Sequence, residues 1–346
     1  DSEIVDLGTE FALEVSSRNA QVEVIDGEVE LRGGDHDGTH LITGEGASLK
    51  GNVSATSVVE GLSTVSDIDQ QRQQAEAGRF LQWQEHSQTL RTDKRLIAYF
   101  PIAHFSSTQG LYDRMVPNAA STGNRFNGLM IGPVGRAEGR FGKESGALNF
   151  DRLGSRVRMR IDGEFEALTL ACWVKIDRLE HRYNALFMGD GFENGEPHWQ
   201  IRSDGRLMIS VMVDDTQKIE HFSDLEHQIV TDAGLHKNYY SEPFWDSSMN
   251  GQWFHLASVY DPVNQRVRQF ANGRMICDEK IPDELLATQF RIGPAEIGNW
   301  GQPFRKTPEF AVRNLHGAID ELAIFNGVLS QDEIQLMHKQ GKPLGY

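Results

Sequence analysis

Asp162, Glu164 and Glu166 sit at alternate positions, the spacing at which side chains share one face of a strand. Two carboxylates presented to the same sugar are what glycoside hydrolysis requires. Gly163 and the apolar run that starts at Leu168 place these acids in a solvated turn instead, where they serve the rim of a fold. Asp320-Glu321 is the other pair. Neighbouring strand positions point to opposite faces, and Gly317 and Ala318 stand where a further acid would be needed. No catalytic residue set is therefore expected. His198, His221, His227, His236 and His255 lack the close spacing of a zinc motif, and His255, inside an apolar run, reads as a sheet histidine. There is no G-x-S-x-G elbow, no glycine-rich phosphate loop and no cysteine-centred nucleophile motif.

Aromatic residues offer a different chemistry. Asp214 to Gly251 is a long polar stretch between two strand-like segments that need only a short connection. It ends in Tyr239, Tyr240, Phe244 and Trp245, and Trp300 lies in the Gly298–Gly301 turn. Long loops on a rigid scaffold carry function, and exposed rings stack on sugars and on partner surfaces. These five rings are the candidate ligand-binding residues, expected to approach one another on one rim or face. The competing reading is that they only pin the insertion to the fold.

The elements that must position these residues are mostly strands. The chain has 346 residues, 34 of them glycine, and short β-rich runs separated by turn residues recur throughout. Three regions emerge. In residues 1–51, two alternating runs flank Asp26-Gly27, a hairpin signal, with Val22, Val24, Val29 and Leu31 on an apolar face. Residues 52–95 hold a helix candidate from Asp67 to Leu90, capped by Ser66 or Asp67. Its second half docks through Phe80 and Trp83 while its polar first half stays exposed. From Leu96 onward, strand candidates run to Gly317–Phe325, with a second hairpin turn at Asn272-Gly273. A short helix starting at Ser330 carries the capping-box pattern with Glu333.

Composition excludes several functions. The formal charge is −16, which repels phosphate backbones, so nucleic acid is not an expected partner. No apolar stretch is long enough to span a membrane. Two cysteines make no disulfide framework, and their pairing stays open. The chain opens on strand-like sequence without Met, and the expectation is that an upstream part precedes Asp1.

Ordered motifs carry a family resemblance. Leu96–Phe100 (LIAYF), Gly139–Phe150 (GRFGKESGALNF), Leu168–Lys175 (LTLACWVK), Gln252–Asp261 (QWFHLASVYD), Gln269–Gly273 (QFANG), Gly317–Phe325 (GAIDELAIF) and Leu329–Ile334 (LSQDEI) follow one another as in laminin-G-like, concanavalin-A-like jelly rolls. The resemblance implies an all-β jelly-roll sandwich over residues 96–346. It also implies a structural or calcium-holding role for the aspartate of the "iDE" motif. Asp320 with Asp113 in the loop after the first strand is the candidate Ca²⁺ pair, since Ca²⁺ takes carboxylate and carbonyl oxygens.

Residues 1–51 resemble the second half of the FecR domain of bacterial envelope sensor proteins. The carriers are Leu7-Gly8-Thr9-Glu10-Phe11, the Val22-to-Leu31 segment and Leu41 to Gly46. That resemblance implies an envelope protein with a membrane anchor upstream of Asp1 and a link to anti-sigma-type signalling. The reading that results is a non-catalytic recognition module for a glycan or protein ligand at the bacterial envelope. The alternatives are a purely structural module and, third, a glycoside hydrolase.

Overall fold

The computed structural model describes residues 3–6, 10–15, 20–48, 53–55, 65–102, 114–121, 126–223, 228–301 and 312–345. Contacts divide the chain into two compact units, Asp1–Glu76 and Ala77–Tyr346. The division falls inside one helix, α1 (Val65–Leu90).

The first unit is built from β1 (Glu3–Asp6), β2 (Glu10–Val15), β3 (Ala20–Asp26), β4 (Glu28–Arg32), β5 (Thr39–Ile42), β6 (Glu45–Ser48) and β7 (Val53–Ala55). They form two small sheets, ordered β1-β4-β5 and β2-β3-β6-β7. The expected hairpin across Asp26-Gly27 is therefore not a ladder. β3 and β4 enter different sheets, and Gly27, at φ 96°, turns the corner between them. The reason is burial. Splitting the two strands lets Val22 and Val24 face Val29, Leu31 and Leu41 across a shared small core. Glu23, between Val22 and Val24, is covered as well.

Helix α1 starts at Val65, so Ser66 and Asp67 lie in its first turn rather than ahead of it. Residues 70–78 are exposed, as their polar sequence requires. The last turns belong to the second unit and bury Trp83, Ser87 and Leu90.

The second unit contains β8 (Leu96–Pro101), β9 (Met115–Val116), β10 (Gly128–Ile131), β11 (Gly135–Gly139), β12 (Gly142–Asn149), β13 (Arg156–Ile161), β14 (Leu168–Arg178), β15 (Tyr183–Gly189) and β16 (Pro197–Arg202). It continues with β17 (Arg206–Ser223), β18 (Gln228–Pro243), β19 (Gln252–Asp261), β20 (Arg266–Ala271), β21 (Arg274–Lys280), β22 (Gly293–Ile297), β23 (His316–Phe325) and α2 (Gln331–Gly341). These strands make an antiparallel sandwich. The front sheet has the order β18-β17-β16-β15-β22-β13-β10-β9; the back sheet has β11-β12-β23-β14-β19-β20-β21, with β8 also paired to β23.

Alternation along the strands fills the space between the sheets. Leu170, Cys172, Val174, Leu256 and Ile324 of the back sheet are buried against Phe187, Trp199, Ile209 and Ile297 of the front sheet. Both cysteines are free thiols. The Asn272-Gly273 turn closes β20 onto β21 with φ of 50° and 75°, the left-handed pair a type I′ turn needs. The Ser330 hydroxyl accepts from the Glu333 amide at 3.3 Å, and the Glu333 carboxylate accepts from the Ser330 amide at 2.8 Å, so the expected capping box forms.

Asp214 to Gly251 differs from the expected polar loop. Most of it is strand. β17 and β18 form one long hairpin at the edge of the front sheet, with register shifts at Met212/Asp214 and Asp214/Lys218. An edge ribbon satisfies its amides on itself and needs few apolar side chains, which is why it reads as loop in sequence.

The outer face of the back sheet is covered by the end of α1 and by α2, through Leu90, Tyr99, Phe270, Phe325, Ile334 and Met337. Beneath α1 lies a buried charge cluster. Adjacent Asp320 and Glu321 were expected to point apart, yet both carboxylates engage the Arg140 guanidinium. A register shift opposite Trp173/Val174 makes this possible, because a bulge re-aims one side chain. Asp320 also accepts from the Arg140 amide at 2.8 Å, and Glu321 accepts from Trp83 Nε1 at 2.9 Å and from the Tyr99 hydroxyl at 2.5 Å. The guanidinium packs against the rings of Trp83, Phe141 and Trp173 at 4.8–5.1 Å. Burial raises the Asp320 pKa to about 6, against the pull of Arg140.

Truncating Trp83 removes a packed ring and one donor to a buried carboxylate. Trp83→Ala should destabilise the second unit by about 3–5 kcal/mol in urea melts, and a loss under 1 kcal/mol would mean that the helix end is not docked.

Acid should weaken the fold. His86, His255 and His338 are all held below the ordinary histidine value by burial, His338 at about 4. The folded state thus binds fewer protons than the unfolded chain as pH falls from 6.5 toward 4, and stability drops through that window. Asp320 opposes this between pH 4 and 6, because its folded value lies above the unfolded one. His338 alone should contribute a loss of about 1–3 kcal/mol by pH 4. His338→Gln should flatten the decline, and an unchanged slope would place its origin elsewhere.

Candidate ligand-binding face

The front sheet turns one face to the core and the other outward, and the ladder pairings state which residues share the outer one. Tyr240 pairs with Met208, Met208 with Gln200, and Gln200 with Ala185. The next outer positions are Arg202 and its partner Tyr183. A parallel row holds Asn238, Ser210, His198, Met188 and Glu296. With a period of two, Tyr239 must point the other way, and it does: its ring is buried in the core with its edge on Tyr260.

The five candidate rings thus separate. Tyr240 is half-buried on the outer face, its hydroxyl 2.8 Å from that of Tyr183. Burial and the neighbouring Tyr183 hold the Tyr240 hydroxyl well above the ordinary tyrosine pKa. Trp300 lies on the same face but is packed in, 3% exposed, against Ala185 and Met188. Its Nε1 donates to the Gly189 carbonyl at 3.0 Å. Arg313 joins the two rings: its guanidinium lies 4.6 Å from the Trp300 ring and 5.1 Å from the Tyr183 ring, and donates to Gln200 Oε1 at 2.9 Å. Phe244 and Trp245 sit elsewhere, half-buried against the main core, Phe244 edge-on to Phe254 at 5.6 Å. Gly205 is the reason they fit. At φ 77° its missing Cβ leaves the space that the Trp245 carbonyl occupies.

The Trp300 turn is held by a buried acid. Glu296 accepts from the Gly301 amide at 2.6 Å and from Arg158 at 3.0 Å and is ion-paired with Arg156 at 3.1 Å, while burial raises its pKa. His198, stacked on Phe192 at 3.9 Å, supports the other side of Trp300 at 4.7 Å. His198 and His236 are therefore ring-packing residues here, and His255 is buried beneath α2. His227 lies outside the described residues, as does the side chain of His221.

A polar recess of about 300 Å³ lies further along the front sheet, lined by Arg160, Asp162, Glu193, Glu196, Asp215 and Arg291 among others. Burial raises the Glu196 pKa. The carboxylates singled out by spacing do not assemble. Asp162 pairs with Arg160 at 2.7 Å, Glu164 accepts from Gln289 at 2.6 Å, and Glu166 is exposed. Asp320 was expected to hold Ca²⁺ together with Asp113. It lies inside β23 instead, its carboxylate held by Arg140. Asp113 lies outside the described residues. Among the described residues no group of three or more His, Cys, Asp or Glu is arranged to hold a metal ion.

Sequence reading singled out Tyr240 and Trp300, which lie on this face, but not their neighbours Tyr183, Gln200, Arg202 and Arg313. The signal exists only after strand register is known, because these residues come from separate strands and from the segment ahead of β23. The two tyrosines give a direct check. Tyr239→Ala should cost about 3–5 kcal/mol of stability and Tyr240→Ala under about 1.5, read by denaturant melts. Equal losses would contradict the assigned faces.

Comparison with known proteins gives the lineage. No curated protein matches the chain. Among solved structures, domain 4 of AbnA, a GH43 extracellular arabinanase from Geobacillus stearothermophilus solved with arabinotriose, is 18% identical at a TM-score of 0.42, over 70% of this chain and 98% of that one. The botulinum neurotoxin serotype D binding domain is 12% identical at a TM-score of 0.47, over 74% of this chain and 56% of that one. The serotype G binding domain is 11% identical at 0.46, over 70% and 50%. This chain thus spans about half the length of the two neurotoxin domains. A family model matches residues 158–335, from the middle of β13 into α2. That match covers just over half of the 346 residues, and the chain belongs to the concanavalin A-like lectin/glucanases superfamily.

Proposed function

We propose that the sandwich is a non-catalytic recognition module for a glycan, bound on the outer face of the front sheet around Tyr183, Tyr240 and Arg202. The observation that carries this reading is the Tyr183–Tyr240 pair: two rings joined at their hydroxyls, each half-buried and flanked by guanidinium groups. Such rings offer a flat apolar face and a polar edge, the combination that suits a sugar. Membership in a superfamily named for lectins and glucanases supports a saccharide over other ligands. The non-catalytic part is supported by the engaged state of the acids, Asp162 with Arg160, Glu164 with Gln289, and Asp320 and Glu321 with Arg140.

One observation favours a hydrolase as the second reading. Glu196 is a buried acid of raised pKa on the wall of an open recess, as a general acid would be. Polysaccharide turnover lost in Glu196→Gln would establish it.

The FecR-like motifs of residues 1–51 support placing this module at a bacterial envelope beside a sensor segment; fractionation of cells carrying the full-length protein tests that. A calcium ion on Asp320 would have to compete with Arg140 for the carboxylate. A melt in chelator against millimolar calcium, expected to show a shift if Asp113 and Asp320 bind it, decides the point.

The binding surface itself is tested by a glycan-array screen followed by titration of the best sugar. Tyr240→Ala should weaken binding by about 1–3 kcal/mol while the melting temperature moves little. Full affinity in that variant would leave the face without a ligand.

A further inference from the structure

The docked end of α1 does not meet the back sheet as a continuous apolar contact. A cavity of about 10 Å³ lies between them, lined by Trp83 and His86 of α1, Trp173 of β14, His255 of β19, Glu321 of β23 and Met337 of α2.

Two nitrogens of the residues lining it are buried without a hydrogen-bond partner, His86 Nε2 from the helix and His255 Nδ1 from the sheet. His255 is 1% exposed, so bulk water does not serve it. The carboxylate on the wall is already engaged, since Glu321 meets Arg140, Trp83 and Tyr99. Burial keeps both imidazoles below the ordinary histidine pKa, so at pH 7 they are neutral. Each ring nitrogen of a neutral imidazole is a donor or an acceptor, and a buried one left unmet forfeits the bond it makes to water in the unfolded chain.

The size and the walls select the occupant. Cavities that stay dry have apolar walls, and about 10–15 Å³ of such space is the least that holds one water. This cavity reaches that bound and carries polar walls. A cation is opposed by the Arg140 guanidinium, packed against the same Trp83 and Trp173 rings, and an anion by the Glu321 carboxylate. Water is neutral and both donates and accepts, so it serves two imidazoles whichever tautomers they hold. An entry route is present too. His86 and Met337 also line a wider groove of about 300 Å³ between the end of α1 and α2, which reaches the surface at Leu336, 47% exposed.

We infer that this cavity binds one structural water, which bridges His86 Nε2 to His255 Nδ1 and so joins α1 to β19. The water exchanges with solvent through the groove, past His86 and Met337. The helix is then held to the sheet by two polar links, this one and the Trp83–Glu321 hydrogen bond.

The experiment is a crystal structure of the whole chain at a resolution that shows ordered solvent. The expected result is one solvent peak in the cavity, within about 3.2 Å of both His86 Nε2 and His255 Nδ1. Oxygen-17 relaxation dispersion of the solvent then counts long-lived internal waters in solution. His86→Leu and His255→Phe should each lower that count by one. Each variant is read beside a melting curve, and if either fails to fold the crystal structure of the unchanged chain decides. A cavity without a peak, or a peak that reaches only one of the two rings, overturns the inference. So does an unchanged count in either folded variant.

Discussion

The Arg140 guanidinium is the constraint from which the back of the sandwich is organised. It is buried, so its charge must be answered, and two neighbouring acids of β23 answer it. They can do so together only because a bulge breaks strict alternation opposite Trp173/Val174. Their remaining oxygen sites then accept from Trp83 and Tyr99, which ties the end of α1 and the first strand of the second unit to the same centre. Arg140 Nε donates to the Gly341 carbonyl at 2.7 Å, so the end of α2 is held as well. One cation thus sets where two helices lie on the sheet. Such a cluster is costly to desolvate, and its return is specificity of placement rather than raw stability.

The outer face of the front sheet has a different make-up. Both sheets obey a period of two, but its consequences differ. On the back sheet the outward residues, Ala257, Val259, Phe270 and Phe325, are apolar and lie under helices. On the front sheet they are half-buried Tyr240 and Arg202 together with the buried polar side chains of Gln200, Ser210 and His198. Glu296 stiffens this surface by fixing two arginines and the Trp300 turn at once. Trp300 is then a pillar of the face rather than a contact offered to solvent, and the half-buried tyrosines stand beside it.

The amino-acid sequence alone determined the architecture from Leu96 onward. The nearly continuous apolar run Leu168–Lys175 reads as a strand covered on both faces, and Leu168 to Val174 are all buried. Asn272-Gly273 and the Ser330–Glu333 box were equally legible, because turn chemistry and capping act over four residues or fewer. The docking of α1 through Trp83 was legible too, as the one place where a polar helix carries large rings.

What needed tertiary structure was every contact whose partners are distant in sequence. Val22 and Val29 could be read as core, but not that their strands leave Gly27 for different sheets. Asp320 and Glu321 could be read as a pair, but not the bulge that aims both at Arg140, 180 residues earlier. Tyr239 and Tyr240 look alike in sequence. Only the pairing register shows that one is core and the other lies beside Tyr183, 57 residues away. Local rules set which residues must be covered; the choice of partner is made by the whole sheet, because hydrogen-bond register is a property of two strands and of neither one alone.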